Sequence, residues 1–345
     1  MITLPALADS RARLLLVATI GPASFDLAAD LFRAGADALR VNGSHMSAGE
    51  LDTMLTRVRA AVPDMPVVLD LQGAKMRLGR FEPVELQPGQ AVRVAVRAQK
   101  GALPLPHPEL FRALHPGDTL SCDDHRVRLR VDRVDLDSAT LSALGPGTLR
   151  PRKGVNVLEH PVDLDDLTSN DLAQVEVALR HGPISFACSF MRDGREAGWI
   201  RRYAPGAQVV GKIERAEAIE NLASIAREVQ SAWVCRGDLG AQLGMGALAQ
   251  WVSSWNPSGV SVPVLMAGQV LEHLTAHADP TRSEVCHLYD LIARGYSGFV
   301  LSDETAIGAD PVHAVKVAVA LTQALVAECM PLPRDPAARC CSSQR

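Results

Sequence analysis

The sequence contains no CxxC pair, although it carries seven cysteines, at Cys122, Cys188, Cys235, Cys286, Cys329, Cys340 and Cys341. An odd, unpatterned set in a long chain argues for reduced thiols in a cytoplasmic protein, and against a disulfide framework or a zinc site built on paired cysteines. No apolar run approaches the roughly 20 residues that span a bilayer. The first residues, Met1-Ile2-Thr3-Leu4-Pro5, lack the basic region and apolar stretch of a secretion signal. Charge of one sign is also missing. A net charge of −4 gives no general attraction to nucleic acid or an anionic membrane, so any positive site has to be local. There is no repeat and no low-complexity block.

What is present is apolar residue in quantity, 47% of the chain, against 21% charged, enough for a large core. Short apolar runs recur at 14–18, 38–41, 67–69, 184–187, 208–211, 232–234, 262–265 and 298–301. Their near-continuous hydrophobicity suits strands buried on both faces of a parallel sheet. Between them, segments 26–34, 48–62, 168–180, 216–229, 269–275 and 282–294 space their apolar residues three and four apart, as surface helices do. Eight such units predict an α/β fold, a (β/α)₈ TIM barrel. The rhythm fails from about Leu78 to Val155, where period-two alternation at 92–96 and 127–132 predicts a small, mostly antiparallel β-domain inserted after strand three. The expected division is a catalytic barrel over 1–78 and 154–330, an inserted lid over 79–153, and a disordered tail over 331–345 that holds Cys340 and Cys341.

Active sites of such barrels lie at the C-terminal ends of the strands. Those ends carry Arg40, Asn42, Ser44 and His45 after strand two, and Asp70 and Arg77 after strand three. Ser189 and Arg192 follow strand four, Lys212 and Glu214 strand five, Asp238 strand six, and Ser302, Glu304 and Thr305 strand eight. Each taken alone has an ordinary structural explanation: a rim ion pair for Arg40 or Asp70, a solvated pair for Lys-x-Glu, a hydrogen-bonded histidine for His45. Five or more in one ring predict a catalytic site. Two carboxylates, Glu214 and Asp238, suit a hard cation such as Mg²⁺ or Mn²⁺ bound with a phosphorylated substrate. Lys212 beside them suits the stabilisation of negative charge on a substrate oxygen.

The residues at these ends resemble the pyruvate kinase family. The matching segments are Thr19-Ile20-Gly21-Pro22-Ala23-Ser24, Arg40-Val41-Asn42-Gly43-Ser44-His45, Leu69-Asp70-Leu71-Gln72-Gly73, Lys153-Gly154-Val155-Asn156, Lys212-Ile213-Glu214, Arg236-Gly237-Asp238-Leu239-Gly240, Pro280-Thr281-Arg282 and Leu301-Ser302-Asp303-Glu304-Thr305-Ala306. They keep the family's order and spacing to about residue 330. The resemblance implies phosphate transfer between phosphoenolpyruvate and ADP through a pyruvate enolate. It implies Glu214 and Asp238 as ligands of the divalent metal, and Lys212 and Arg40 as the catalytic cations. Arg40, Lys212, Ser189 and the amides around Gly237 and Asp238 would bind the substrate phosphate and carboxylate. Arg77, His45, Lys153 and Asn42 would reach the nucleotide, and Asp124 would stand at the lid motif. Many members hold a monovalent cation near Asn42, Ser44, Asp70 and a threonine, with a glutamate a few residues later. Here those last two positions are Leu71 and Lys75. This is similar to the branch in which a lysine ammonium replaces the cation, and no K⁺ requirement is expected.

The match departs from the family at Ala267-Gly268-Gln269, where glycine replaces the threonine implicated in handling the enolate proton. Ala241-Gln242 replaces Ile-Glu, Gly43 replaces Phe, and the family's C-terminal regulatory and interface domain has no counterpart in the sequence. Three readings follow: an unregulated pyruvate kinase; a metal-dependent lyase, aldolase or decarboxylase that forms an enolate from a pyruvate-like substrate; or a non-catalytic binding descendant. The retained Lys212, Glu214, Asp238 and Arg40 disfavour the third. Restoring threonine at 268 is expected to raise kinase activity if the hydroxyl is limiting. A homodimer through the barrel is expected.

Overall fold

The computed structural model describes residues 14–123 and 125–329. The chain begins with three parallel strands, β1 (Leu15–Ile20), β2 (Ala38–Asn42) and β3 (Val67–Leu71), with helices Ala28–Ala34 and Ala48–Ala61 between them. Eight short strands follow: β4 (Val84–Leu86), β5 (Ala91–Ala95), β6 (Leu103–Pro104), β7 (Thr119–Cys122), β8 (Val127–Val134), β9 (Ser138–Ala143), β10 (Gly147–Leu149) and β11 (Val155–Val157). Five more parallel strands complete the series: β12 (Ser185–Cys188), β13 (Val209–Ile213), β14 (Ser231–Cys235), β15 (Val264–Ala267) and β16 (Gly298–Leu301). The first three and last five close in the order β1-β16-β15-β14-β13-β12-β3-β2, a TIM barrel.

Side chains alternate across each strand, which divides the apolar residues between two cores. Leu16, Ala18, Leu39, Val41, Leu69, Val209 and Ile213 point outward and join the large core against the helices. Leu15, Val17, Ala38, Val68, Ala187, Val210, Trp233, Leu265 and Val300 form a separate cluster that fills the barrel interior. The sequence underestimated the strands at their C-terminal ends. β3 runs to Leu71 rather than residue 69, β13 to Ile213 rather than 211, and β15 occupies Val264–Ala267 rather than 262–265. The hydrogen-bond ladder continues past the point where hydrophobicity stops, so Asp70 and Lys212 lie within strands rather than after them, as Arg40 does within β2.

The inserted segment forms a six-stranded sheet, β11-β7-β8-β9-β5-β6, and a two-stranded one, β10-β4. Most pairs are antiparallel, but β5 and β6 are parallel, and helix Pro108–Ala113 interrupts the strands. β11 lies beyond residue 153, yet it pairs with β7 in this sheet. Two expected helices also differ. Segment 216–229 divides at Asn221, whose side-chain amide bonds the Glu217 carbonyl at 2.9 Å and competes with the helix ladder. Segment 269–275 forms only a 3₁₀ turn, Glu272–Thr275. The expected tail, with Cys340 and Cys341, lies outside the described residues, as does Asp124. Cys122, Cys188, Cys235 and Cys286 are free thiols. Among the described residues no helix is long and apolar enough to cross a membrane.

Helix Ser169–Leu179 shows how a helix supports the strand ends. Thr168 and Asp171 form a capping box at its start, and the Asp171 carboxylate also accepts the Gln72 amide at 2.9 Å, just past β3. One turn on, the fully buried Gln174 donates to the Gly43 carbonyl at 2.8 Å and the Met46 carbonyl at 2.9 Å. A side chain at position 43 would collide with this carboxamide. Glycine and glutamine are therefore one solution: Gln174 holds the Asn42–Ser44 turn by hydrogen bonds in space that a larger residue would fill. Gln174→Ala takes this donor from the buried Gly43 carbonyl and the partly buried Met46 carbonyl, each of which keeps one other donor, and is expected to cost about 1–2 kcal/mol. Denaturant unfolding measures it, and an unchanged midpoint would contradict the assignment.

Candidate active site

The inward face of each strand changes character along its length. On β2 it reads Ala38, Arg40, Asn42; on β3, Val68, Asp70; on β13, Val210, Lys212, with Glu214 next in phase; from β12, Ala187, then Ser189. Apolar positions sit low in the barrel and polar ones at its C-terminal mouth, because parallel strands in register deliver their last inward residues to one level. There the side chains of Arg40, Asp70, Ser189, Lys212, Glu214 and Asp238 line one cleft of about 180 Å³. Asn42, Ser44, Lys75, Arg77, Gly237, Gly268 and Ser302 line it as well.

Asp70 is the centre of the charge network. It is 1% exposed, and its Oδ2 accepts Arg40 Nε at 2.8 Å and Nη2 at 2.6 Å. Lys212 Nζ lies 3.0 Å from the same oxygen, 3.0 Å from Glu214 Oε1 and 2.9 Å from Ser189 Oγ. Burial pushes the Asp70 carboxyl up, but Lys212 and Arg40 outweigh it and hold it below the ordinary carboxylate range. Burial pulls the Lys212 ammonium down, and Asp70 and Glu214 together raise it above its ordinary value. Lys212 is thus a fixed cation at any physiological pH. It can stabilise charge, but it cannot serve as a general base. Beside it, burial and Glu214 push the Cys235 thiol well up, which keeps it neutral and unreactive.

The two carboxylates suited to a metal are both held by neighbours. The Glu214 Oε2 accepts the Phe190 amide at 2.8 Å, and Asp238 forms an ion pair with Lys75. The Lys75 ammonium also lies 5.0 Å from the centre of the Phe190 ring. Lys75 is therefore paired with Asp238 rather than with Asp70, the partner expected of a monovalent-cation substitute; Asp70 is already occupied by Arg40 and Lys212. Glu214 and Asp238 offer only oxygen donors at the ends of adjacent strands, a set that fits a hard divalent cation completing its shell with water and substrate oxygens. Four cationic side chains (Arg40, Lys75, Arg77, Lys212) and three carboxylates (Asp70, Glu214, Asp238) line the cleft, leaving one net positive charge before a metal enters. β14 passes straight into helix Arg236–Leu243, so the Gly237 and Asp238 amides belong to a first turn whose N–H groups lack partners within the helix.

The departures from the family now have physical content. Gly268 has φ +79°, and a Cβ built on it would meet nothing within 4 Å. The space is open, but the backbone is in a region where a β-branched residue is a severe outlier. Arg236 fixes this conformation by donating from Nε at 3.1 Å and Nη2 at 2.7 Å to the Gly268 carbonyl. Threonine at 268 would strain this backbone, a cost that would accompany any gain from the restored hydroxyl. Gln242, in the place of the family glutamate, accepts the Ala216 amide at 3.0 Å at the start of helix Ala216–Glu220.

Several residues anticipated at the site lie elsewhere. Lys153 is paired with Asp123 at 3.0 Å in the insert, and Arg192 is held by Asp163 and Asp193. Glu304 and Thr305 are fully buried. Glu304 accepts the Leu271 amide at 2.9 Å and the Ser302 amide at 2.7 Å, while Thr305 joins the Thr19 backbone. His45 ends the turn Gly43–His45, and its side chain lies outside the described residues. Three contributors were not anticipated: Thr19, whose Oγ1 accepts Arg40 Nη1 at 3.2 Å; Trp233, which forms part of the cleft wall; and Arg236. Thr19 follows Val17 in the inward phase and Trp233 precedes Cys235, so period-two phasing was a signal for both.

Two predictions follow from these energetics. Asp70→Asn removes the anion between two buried cations and is expected to cost about 3 kcal/mol of stability, read by urea unfolding. No loss would mean that the network is not a structural element. In the insert, the His107 imidazole Nε2 accepts the Arg77 amide at 2.9 Å, and burial holds its pKa down at about 4, against the opposing pull of the Arg77 carbonyl 3.2 Å from the same nitrogen. The unfolded chain takes up this proton below its ordinary 6.5, whereas the folded chain does not until about 4. His107 stabilisation is present above pH 6.5 and is lost as pH falls toward 4, by roughly 3 kcal/mol. His107→Gln should flatten that part of the pH–stability curve, and an unchanged slope would remove His107 as its source.

Comparison with known proteins gives an agreeing result. The family model described as "Pyruvate kinase, barrel domain" matches residues 11–315. A pyruvate kinase of Agrobacterium vitis is 32% identical over 319 residues, covering 88% of this chain and 66% of that protein. One from Methylorubrum extorquens is 32% identical over 314 residues, covering 87% and 66%. One from Mycobacterium tuberculosis is 30% identical over 318 residues, covering 87% and 67%. The chain thus spans about two thirds of the length of these relatives, and the matched region is the barrel with its insertion. With the barrel-domain model matched over most of its length and relatives 30–32% identical, the chain belongs to the pyruvate kinase family.

Proposed function

We propose that this chain transfers a phosphoryl group between phosphoenolpyruvate and ADP, through a pyruvate enolate. The observation that carries this reading is the meeting of Lys212 and Arg40 with Glu214 and Asp238 in one positively charged cleft. A substrate bearing both phosphate and carboxylate matches that charge. Arg40 grips the phosphate while Asp70 fixes its guanidinium plane. Gly237 and Asp238 amides receive the carboxylate at the helix start. Glu214 and Asp238 would hold a divalent cation, Mg²⁺ or Mn²⁺, which would supply positive charge to the substrate oxygens.

Lys212 has three N–H groups and three protein acceptors: Asp70, Glu214 and Ser189. A substrate oxygen must take the place of one of them. Ser189 is the neutral one, and its hydroxyl can fall back on the Leu71 carbonyl at 2.8 Å, so exchange there costs least. Lys212 then stabilises the enolate oxygen as charge develops. Arg77, at the start of the insert, bridges Gly154 at its end, which brings Arg77 and the neighbouring Lys153 to one edge for the nucleotide phosphates. Lys153 must leave Asp123 to act there. Lys75, paired with Asp238 in the cleft, supports a reaction without K⁺.

The open space beside Gly268 favours a second reading, an enolate-forming lyase, aldolase or decarboxylase in which a larger group occupies the enolate carbon's side. The experiment is a coupled assay with phosphoenolpyruvate, ADP and Mg²⁺ on folded protein. ATP and pyruvate formation is expected, with Lys212→Met reducing it by roughly 10²–10³-fold. No product from soundly folded protein overturns the kinase reading, and metal-dependent exchange of pyruvate methyl protons without nucleotide would then point to the second. Glu214→Gln and Asp238→Asn should weaken Mn²⁺ binding in equilibrium dialysis. Replacing Na⁺ by K⁺ should leave the rate unchanged; strong activation would remove the role given to Lys75.

A further inference from the structure

Far from Glu214 and Asp238 in sequence, within the inserted segment, three potential metal ligands meet. His115 follows helix Pro108–Ala113, Asp118 precedes β7, and His160 follows β11. One ligand atom from each lies within 4.8 Å of the other two. His160 Nε2 is 2.9 Å and His115 Nδ1 3.7 Å from Asp118 Oδ2. We propose that His115, Asp118 and His160 form a binding site for a borderline divalent transition metal, with Zn²⁺ as the best match.

The donor set selects the metal class. Two imidazoles and a carboxylate are too nitrogen-rich for Mg²⁺ or Ca²⁺, and they contain no soft thiolate. Three such ligands with one position left open is a common zinc arrangement. Ligand bonds of about 2.0–2.1 Å in a tetrahedron place neighbouring ligand atoms about 3.4 Å apart. The two separations to Asp118 Oδ2 bracket that value, and all three ligand atoms lie within 4.8 Å of one another, so one ion is within reach of the set. The two rings already stand edge to face, with centres 5.6 Å apart.

The frame beneath the ligands is rigid. The Asp118 carboxylate is fixed by the His115 amide at 2.7 Å, and the backbone of its turn by Gly117 to Val131 at 2.8 Å and Val131 to Asp118 at 2.7 Å. His160 is brought in by the antiparallel pairing of β11 with β7. That pairing continues from Leu158 to Thr119 at 3.1 Å and from Thr119 to the Glu159 carboxylate at 2.8 Å. The His160 Nδ1 lies 3.3 Å from the Pro161 carbonyl. Without metal, Nε2–H donates to the Asp118 carboxylate; a metal would take the place of that proton, while Nδ1–H stays on the Pro161 carbonyl, the outer-shell arrangement that orients ligating histidines.

The site lies where the chain leaves the inserted sheet for the barrel. His160 and Pro161 also line a cavity of about 320 Å³ shared by the insert and the barrel residues Phe190, Arg215 and Gln242. A metal there ties residue 160 to the turn at 115–118, across more than 40 residues of chain.

The test is calorimetric titration of the full chain with Zn²⁺ in saturating Mg²⁺, for wild type, His115→Ala and His160→Ala. Thiols and the catalytic carboxylates contribute equally in all three, so the readout is the difference. Wild type should bind one more Zn²⁺ than the variants, or bind it at least about 10-fold more tightly. Zn²⁺ should raise the melting midpoint of wild type more than that of His115→Ala. The His115 side chain is 74% exposed, so this variant keeps the fold even where His160→Ala does not. Equal stoichiometry and affinity in wild type and His115→Ala overturn the site and leave an ordinary hydrogen-bonded His–Asp pair.

Discussion

The Asp70 carboxylate, buried between Arg40 and Lys212, is the interaction on which the cleft depends. Two cations brought to the mouth of a barrel repel each other and lose their hydration, and neither side chain would stay ordered there alone. Asp70 offsets both costs from one oxygen, and Glu214 adds a second counter-charge to Lys212. The result is a lysine that keeps its proton and an arginine whose plane is set before any substrate arrives. Preorganised charge of this kind needs little reorganisation if negative charge develops beside it.

That network is built on the barrel's parity. A parallel strand gives one residue in two to the interior, and eight strands in register give a ring of them at each level. The lower levels are apolar and close-packed around Trp233, which supplies the cohesion that charged groups at the mouth do not. The upper level is where β2, β3 and β13 continue their ladders beyond their hydrophobic runs. Polar side chains are tolerated there because each finds a partner across the ring: Arg40 reaches Thr19 as well as Asp70, and Lys212 reaches Ser189.

Much of this was legible in the sequence. Eight apolar runs with helical segments between them specify the barrel, and the change from helical spacing to alternation marks the insert. Lys212, Glu214, Asp238 and Arg40 were visible as a group because each lies at or just past the end of such a run. The strand ends were misplaced by up to two residues, since hydrophobicity reports burial and not hydrogen bonding. Glu304 and Thr305 looked functional and are internal fasteners, because a polar residue at a strand end carries no mark of whether it faces the cleft or a neighbouring backbone.

What the sequence determined by itself is the set of charges and the order in which the strands deliver them, since both follow from residue type and period. Which charge meets which partner was decided by the tertiary structure alone. Lys75 lies on Asp238, 163 residues away, because the loop after β3 and the helix after β14 share one mouth. Gly268 is held in a left-handed conformation by the Arg236 side chain, and His115 meets His160 through the pairing of β7 with β11. These are contacts between segments distant in sequence, and linear spacing contains no term for them; only closing the barrel and folding the insert bring them within bonding distance.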